Sequence, residues 1–202
     1  MKISVLVEGR TESAFFPHLR GFLEKRLQGH MPRLMPIPYD GHIPTGEKLK
    51  RVVERLLDDG ARSVDAVIAL TDVYTGDNRF IDAADAKKKL NAWVGPNAKF
   101  FPHVAQYDFE AWLLPFWFDI QQLAGHNASS PAAAPESVNH NNPPSCRIRD
   151  IFLSGKRGKA YVKPRDAGRI LKGKDLLVSA RICPELKSFL NTIIKLSGGV
   201  AI

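Results

Sequence analysis

Four carboxylates stand at or just past the ends of short apolar runs. Glu8 follows Lys2–Val7, Asp72 follows Val64–Leu70, and Asp108 and Glu110 follow Lys99–Gln106. If those runs are neighbouring strands, three separate segments deliver acid to one rim. Carboxylates gathered in this way repel one another unless a cation or a basic ligand joins them. An all-oxygen set suits Mg2+ or Mn2+, which bind through a few carboxylates and keep several waters. A single acid in such a place more often caps the next helix or stays solvated. The convergence is what points to a metal site made of Glu8, Asp72, Asp108 and Glu110.

The stretch Val7-Glu8-Gly9-Arg10-Thr11-Glu12 adds a second feature. Gly9 would permit a sharp turn and close backbone approach. The free N–H groups of a helix opening at Thr11 would receive an anion such as phosphate. Glu8 faces the same spot as ligand or general base, whereas Glu12, in the first turn, need only complement the helix dipole. Far along the chain, Ser154-Gly155-Lys156-Arg157-Gly158-Lys159 is basic enough to meet a phosphate backbone; it reads equally well as a solvated loop.

The elements that must position these groups follow from periodicity. Lys2–Val7 is a β-branched apolar run, as a buried strand is. Behind Thr11, Phe15, Phe16, Leu19, Phe22, Leu23 and Leu27 recur at helical spacing. Pro32, Pro36, Pro38 and Pro44 mark a connecting link. Thr45 then opens a helix carrying Leu49, Val52, Val53, Leu56 and Leu57, which Gly60 stops. Val64–Leu70 is a second strand, Asp82–Val94 a third helix, and Lys99–Gln106 a third strand, in which Pro102 signals an edge or a bulge. Asp108–Leu123 reads as an aromatic helix. This β-α-α-β-α-β-α order predicts an α/β fold, Rossmann-like, with a mostly parallel sheet flanked by helices. Gly125–Ser145 holds four prolines and reads as a flexible loop. Pro164–Leu171, Asp175–Arg181 and Pro184–Leu196 read as helices. The expected organisation is an α/β domain over 1–124, a loop over 125–145, and a basic helical C-terminal extension over 146–202 packed on the same domain.

Composition bounds the function classes. The chain has 202 residues, 44% hydrophobic and 25% charged, which excludes wholesale disorder, collagen and coiled coil. No apolar run approaches the ~20 residues of a membrane helix, and the charged start MKISVLVEGR does not read as a signal peptide. Cys146 and Cys183 have no partner spacing and read as reduced cytoplasmic thiols. The net charge of +8 is unevenly placed: residues 1–145 hold 16 Lys/Arg against 17 Asp/Glu, residues 146–202 hold 13 against 4. Such asymmetry suggests a polyanion partner. Trp112, Phe116, Trp117 and Phe118 could stack bases, but their crowding reads more simply as core or a partner-binding patch. His103 reads as a satisfied core residue, and His140 has no metal-ligand spacing.

The motifs together resemble a known group. Val7-Glu8-Gly9-Arg10-Thr11-Glu12 after an N-terminal strand resembles the first motif of Toprim domains, in the form typical of the overcoming-lysogenization-defect nucleases and their small stand-alone relatives. Leu70-Thr71-Asp72-Val73-Tyr74 resembles the second motif. Ala105–Leu114 and Lys163…Ile182-Cys183-Pro184 are similar to segments of a mostly uncharacterised Toprim-related family, often encoded beside an ATPase in phage-defence operons. The resemblance implies a Toprim-like fold and Mg2+-dependent (or Mn2+-dependent) phosphodiester hydrolysis of DNA or RNA. Glu8, Asp72 and Glu110 would be catalytic, and Asp108 a further ligand. Arg10, Lys156, Arg157, Lys159 and Lys163 would neutralise or bind nucleic acid. It also implies antiviral defence, an ATPase partner and a cytoplasmic location; a homodimer is a further expectation. The second motif usually reads Asp-x-Asp; here Tyr74 takes the second place, leaving Asp108, Glu110 or, less simply, Asp77 to supply the missing ligand. Two other functions compete: a non-catalytic nucleic-acid-binding or adaptor subunit of an ATPase-containing complex, and a phosphate-ligand sensor or transferase at the Gly9 turn.

Overall fold

Lys2–Val7 forms β1, Arg33–Pro38 β2, Ala66–Asp72 β3 and Phe100–Ala105 β4, all parallel, in the spatial order β2-β1-β3-β4. The computed structural model describes residues 1–27, 31–73, 79–131, 133–138, 142–156 and 158–202, with Arg10 by its backbone alone. β1 and β3 are adjacent, with Ile3 beside Ala66 and Leu6 beside Ala69. Both are buried almost end to end, as central strands of a sheet covered on two faces must be. After β1 the chain moves out to the β2 edge; it then returns past β1 to lay down β3. The winding therefore reverses between β1 and β3, and the crevice beyond their carboxyl ends is where such sheets bind ligands.

Helices cover both faces. The helix α1 (Arg10–Glu24) lays Phe15, Leu19, Phe22 and Leu23 against Ile3, Val5 and Val7 of β1. On the opposite face α2 (Gly46–Asp58) and α3 (Ala83–Val94) bring Leu49, Val53, Leu90 and Val94 against Leu6, Val67 and Ala69. The side chain of Asp82 caps α3 by accepting the N–H of Asp85 at 2.8 Å.

The strand β2 corrects the sequence reading, which made its prolines a link. Their placement explains both the strand and the error. The N–H groups of Arg33 and Tyr39 donate to the carbonyls of Met1 and Val7, so the odd-numbered residues of this segment face β1. Pro36 and Pro38 fall on the alternate positions, which point off the sheet and leave no ladder bond unmade. Pro102 is disposed in the same way on the other edge: the carbonyls of Lys99 and Ala105 accept from β3, so residue 102 points outward. The order is thus β-α-β-α-β-α-β through β4. The aromatic segment is a 3₁₀ stretch, Phe109–Phe116, followed by α4 (Trp117–Ala124). Pro115 within it cannot supply the N–H of an α-turn.

Beyond α4 lie α5 (Pro144–Ser154), α6 (Lys163–Leu171), α7 (Leu177–Ala180) and α8 (Pro184–Leu196). The first of these answers to no element read from the sequence. Ile148, Ile151, Ile170, Leu186, Phe189 and Ile193 share one apolar core with α1 and β1. Within 125–145, Glu136 accepts the indole N–H of Trp112 at 3.1 Å and the backbone N–H groups of Glu185 and Leu186 at 3.0 and 3.3 Å, tying that segment to the start of α8. No helix among the described residues is long and apolar enough to cross a membrane.

Candidate functional site

Five carboxylates, not four, line the switch-point rim. Glu8 sits one residue past β1, Asp72 ends β3, Asp108 and Glu110 follow β4, and Glu12 lies in the first turn of α1; all are buried. Burial raises the pKa of each, and neighbouring carboxylates raise those of Glu12, Asp72 and Glu110 further. Asp72 is the extreme case: its burial disfavours its charge most, and Glu12, Glu8, Asp108 and Glu110 each disfavour it further. Glu110 is pushed up to about 7, by burial first and then by Asp108. Mutual repulsion of this kind means the acids brought to the rim from separate segments share one field.

Each acid is held by its own neighbours. Thr71 donates its hydroxyl to Glu8, and His42 Nδ1 lies 3.3 Å from the other oxygen of that carboxylate. Asp108 receives the N–H of Ser145, in the first turn of α5, at 3.0 Å on one oxygen; its other oxygen is buried with no hydrogen-bond partner. The turn into Asp108 passes through Tyr107 at φ 69°, a left-handed conformation that costs a non-glycine residue of order 1 kcal/mol and points to a turn held in place by its surroundings. Glu110 accepts from Tyr161 at 3.3 Å, and Lys163 Nζ lies 3.3 Å from both of its oxygens.

Glu12 and His42 are the residues sequence reasoning missed. Glu12 reaches back toward the N–H of Gly9, as a residue at the third helical position does in a capping arrangement, and its charge is felt by Asp72 and Glu110. Its spacing four residues after Glu8 was the signal, since the turn and first helical residues fold it back to the rim. His42 carried no signal, because nothing local relates it to Glu8. The Gly9 turn also differs from expectation: at φ −160° and ψ −166° the backbone is extended, and a Cβ there would meet Glu12 at an ordinary 3.4 Å. Glycine is not required there for conformation.

The basic residues divide. Lys163 is at the cluster. Lys156 and Lys159 are exposed; Lys156 lines a separate polar cleft with Gln121, Gln122, His126 and Asn127. The side chain of Arg10, and Tyr74, Asp77, His140 and Arg157 altogether, lie outside the described residues. The aromatic candidates split too. Trp112 and Phe116 are buried, with Trp112 packed against Phe15, Phe109 and Phe189, while Phe118 is exposed. His103 is buried on Thr192 and Phe189.

Whether a divalent ion fits can be asked of these side chains. The donors are hard oxygens, they repel one another, and Asp108 keeps a buried oxygen without a partner. Among the described residues no three His, Cys, Asp or Glu side chains converge as a ready-made cage. Mg2+ asks for less than a cage: one or two carboxylates with water completing the shell. The chemistry of the donor set suits such an ion, which Asp72, Asp108 and Glu110 would hold directly or through water, with Glu8 or Glu12 beside them.

A parallel α/β sheet with an acid-lined rim at its switch point defines the class. The chain belongs to the family described as Domain of unknown function (DUF4276), whose model matches residues 7–194. Among solved structures, the C-terminal region of the Burkholderia pseudomallei OLD protein superposes with a TM-score of 0.53 at 14% identity, covering 95% of this chain and 96% of that one. The C-terminal region of the Xanthomonas campestris pv. campestris OLD protein aligns with a TM-score of 0.43 at 12% identity over 93% of each chain. The likeness to the Burkholderia protein establishes the fold that the resemblance led us to expect. No curated protein matches the chain.

Proposed function

We propose that this protein is a divalent-metal-dependent nuclease that hydrolyses phosphodiester bonds in DNA or RNA. One observation carries the reading: five buried carboxylates from separate segments crowd one rim, each raised in pKa, with Lys163 at their margin. A protein folded for stability alone gains nothing from such a cluster, since buried like charges cost free energy. The fold shared with the OLD C-terminal region, and the resemblance of the first motif to that of Toprim nucleases, are in keeping with it.

Mg2+ or Mn2+, held by Asp72, Asp108 and Glu110, would supply charge stabilisation for the transferring phosphoryl group and an acidified water. Glu8, oriented by Thr71 and His42, is placed to take or relay a proton. Lys163 lies beside Glu110, where it would help neutralise the charge of a phosphate oxygen when substrate arrives. Burial keeps bulk water from competing for these groups. A role in antiviral defence beside an ATPase belongs to the same proposal.

The test is cleavage of plasmid DNA and of a structured RNA with Mg2+ or Mn2+, against chelator. Asp72→Asn and Glu110→Gln are expected to lower cleavage at least about a hundredfold. In chelator Asp72→Asn should melt no lower than the parent, because the amide replaces a group whose charge its neighbours already oppose. Cleavage intact in both variants would overturn the reading. Loss of cleavage with a lowered melting point would mean only a damaged fold. The second reading, an adaptor that binds without cutting, draws on the lack of a ready-made cage among the described residues. It is favoured if the wild type binds nucleic acid and cuts neither substrate.

A further inference from the structure

The helix α6 begins at the acidic rim with Lys163, and its first turn holds an arrangement that capping does not explain. Asp166 is fully buried. One of its oxygens accepts the N–H of Val162 at 2.8 Å, which closes the start of the helix. The same carboxylate is gripped by two guanidinium groups. Arg165 binds it as a fork, Nε to one oxygen and Nη2 to the other, both at 2.8 Å, and Arg169 Nη1 reaches it at 3.4 Å. One forked arginine already satisfies a buried carboxylate; the second adds a positive charge the fold does not need. Both arginine side chains remain about half exposed, at 45% and 57%. Of five N–H donors on each group, Arg165 spends two on Asp166 and Arg169 one, so the pair faces solvent with most of its donors unspent and the Arg165 plane fixed. Lys163, two residues before Arg165, touches Glu110 of the acidic rim.

We propose that Arg165 and Arg169, held at the surface of α6 by buried Asp166, form a clamp for the nucleic-acid backbone at phosphates farther along the strand than the one met at the acidic rim. The clamp rests on the nuclease reading for its substrate class and assigns that substrate a length: a polymer gripped outside the bond being cut, not a mononucleotide. Asp166 is a positioning residue, since it acts through the arginines. A guanidinium already ordered by a buried acid, as that of Arg165 is, loses little freedom on meeting a phosphate.

The experiment measures binding of short labelled DNA and RNA oligonucleotides in chelator, where cleavage cannot contribute, as a function of salt. Arg165→Ala/Arg169→Ala should weaken binding at least about tenfold and flatten the salt slope by roughly 1.4, the loss of two single-strand phosphate contacts. Arg51→Ala/Arg55→Ala, which removes the same charge from exposed positions of α2 on the opposite face, should leave affinity unchanged. Arg165→Lys/Arg169→Lys keeps the charge but not the fork, and should weaken binding about fivefold. Equal effects of the two alanine pairs, no effect of the lysine pair, or no binding by the wild type would each overturn the clamp. If the clamp variants weaken binding as stated while the wild type cuts nothing with any metal, the clamp stands and the nuclease reading falls.

Discussion

Asp72 shows why the site is chemically committed at the level of single residues. Burial and the neighbouring charges of Glu12, Glu8, Asp108 and Glu110 all oppose its charge, so the folded chain carries a group that resists ionising. His103 is its neutral counterpart in the core. Burial lowers its pKa from the usual 6.5 to about 3, so the folded protein refuses a proton that the unfolded chain accepts. The stability held above pH 6.5 is therefore lost progressively as pH falls from 6.5 toward 3. The rim carboxylates, with raised pKa values, act in the opposite sense, but they are common to any pair of variants that differ only at residue 103. Urea unfolding of wild type and His103→Gln at pH 7 and pH 4.5 isolates the histidine. The variant's stability relative to wild type should improve by roughly 2–3 kcal/mol at the lower pH. An unchanged difference would show that His103 does not stay neutral.

At the level of elements, the sheet is finished on both sides by proline. Pro36 and Pro38 on β2 and Pro102 on β4 occupy outward-facing positions, where an N–H would invite another chain to pair. On β2 only Leu34 keeps an outward N–H within the strand. Pro36→Val/Pro38→Val restores those donors with a β-favouring residue. The folded variant should form dimers or larger species at concentrations where the wild type does not, seen by size-exclusion chromatography with light scattering. Unchanged mass would mean that the prolines are there for another reason. The same residues show where sequence reasoning stops. In the order of the chain, Arg33–Pro38 looks like a linker because proline interrupts pattern. Only the register shows that each proline falls where its missing donor is harmless.

At the scale of the whole molecule, the near-neutral first 145 residues and the basic remainder share one core. The core beneath β1 and α1 is completed by Ile148, Ile170, Leu186, Phe189 and Ile193, all from the basic final quarter. Glu136 pins the proline-rich segment to Trp112 and to α8. A fragment ending at residue 145 would expose that face, and is expected to be insoluble or to lack a cooperative melt by circular dichroism, whereas the full chain melts cooperatively. A fragment that melts as sharply as the full chain would show that the first 145 residues fold alone. The basic final quarter also reaches the rim: α6 brings Lys163 to Glu110, and Arg165 and Arg169 follow on the same helix around Asp166.

The amino-acid sequence determined the parallel α/β character, three of the four strands, most helices, and Glu8, Asp72, Asp108 and Glu110 as the acids of the rim. These are local matters: apolar periodicity sets the elements, and acids at strand ends are carried to one edge once the strands are parallel. Tertiary structure decided the rest. It paired β2 through its odd-numbered residues, brought His42 across to Glu8, folded Glu12 into the cluster, and set Tyr161 and Lys163 on Glu110. Those contacts join residues far apart in the chain or turn on which way a side chain leaves its helix. No spacing along the sequence encodes them, because they depend on how separate elements pack.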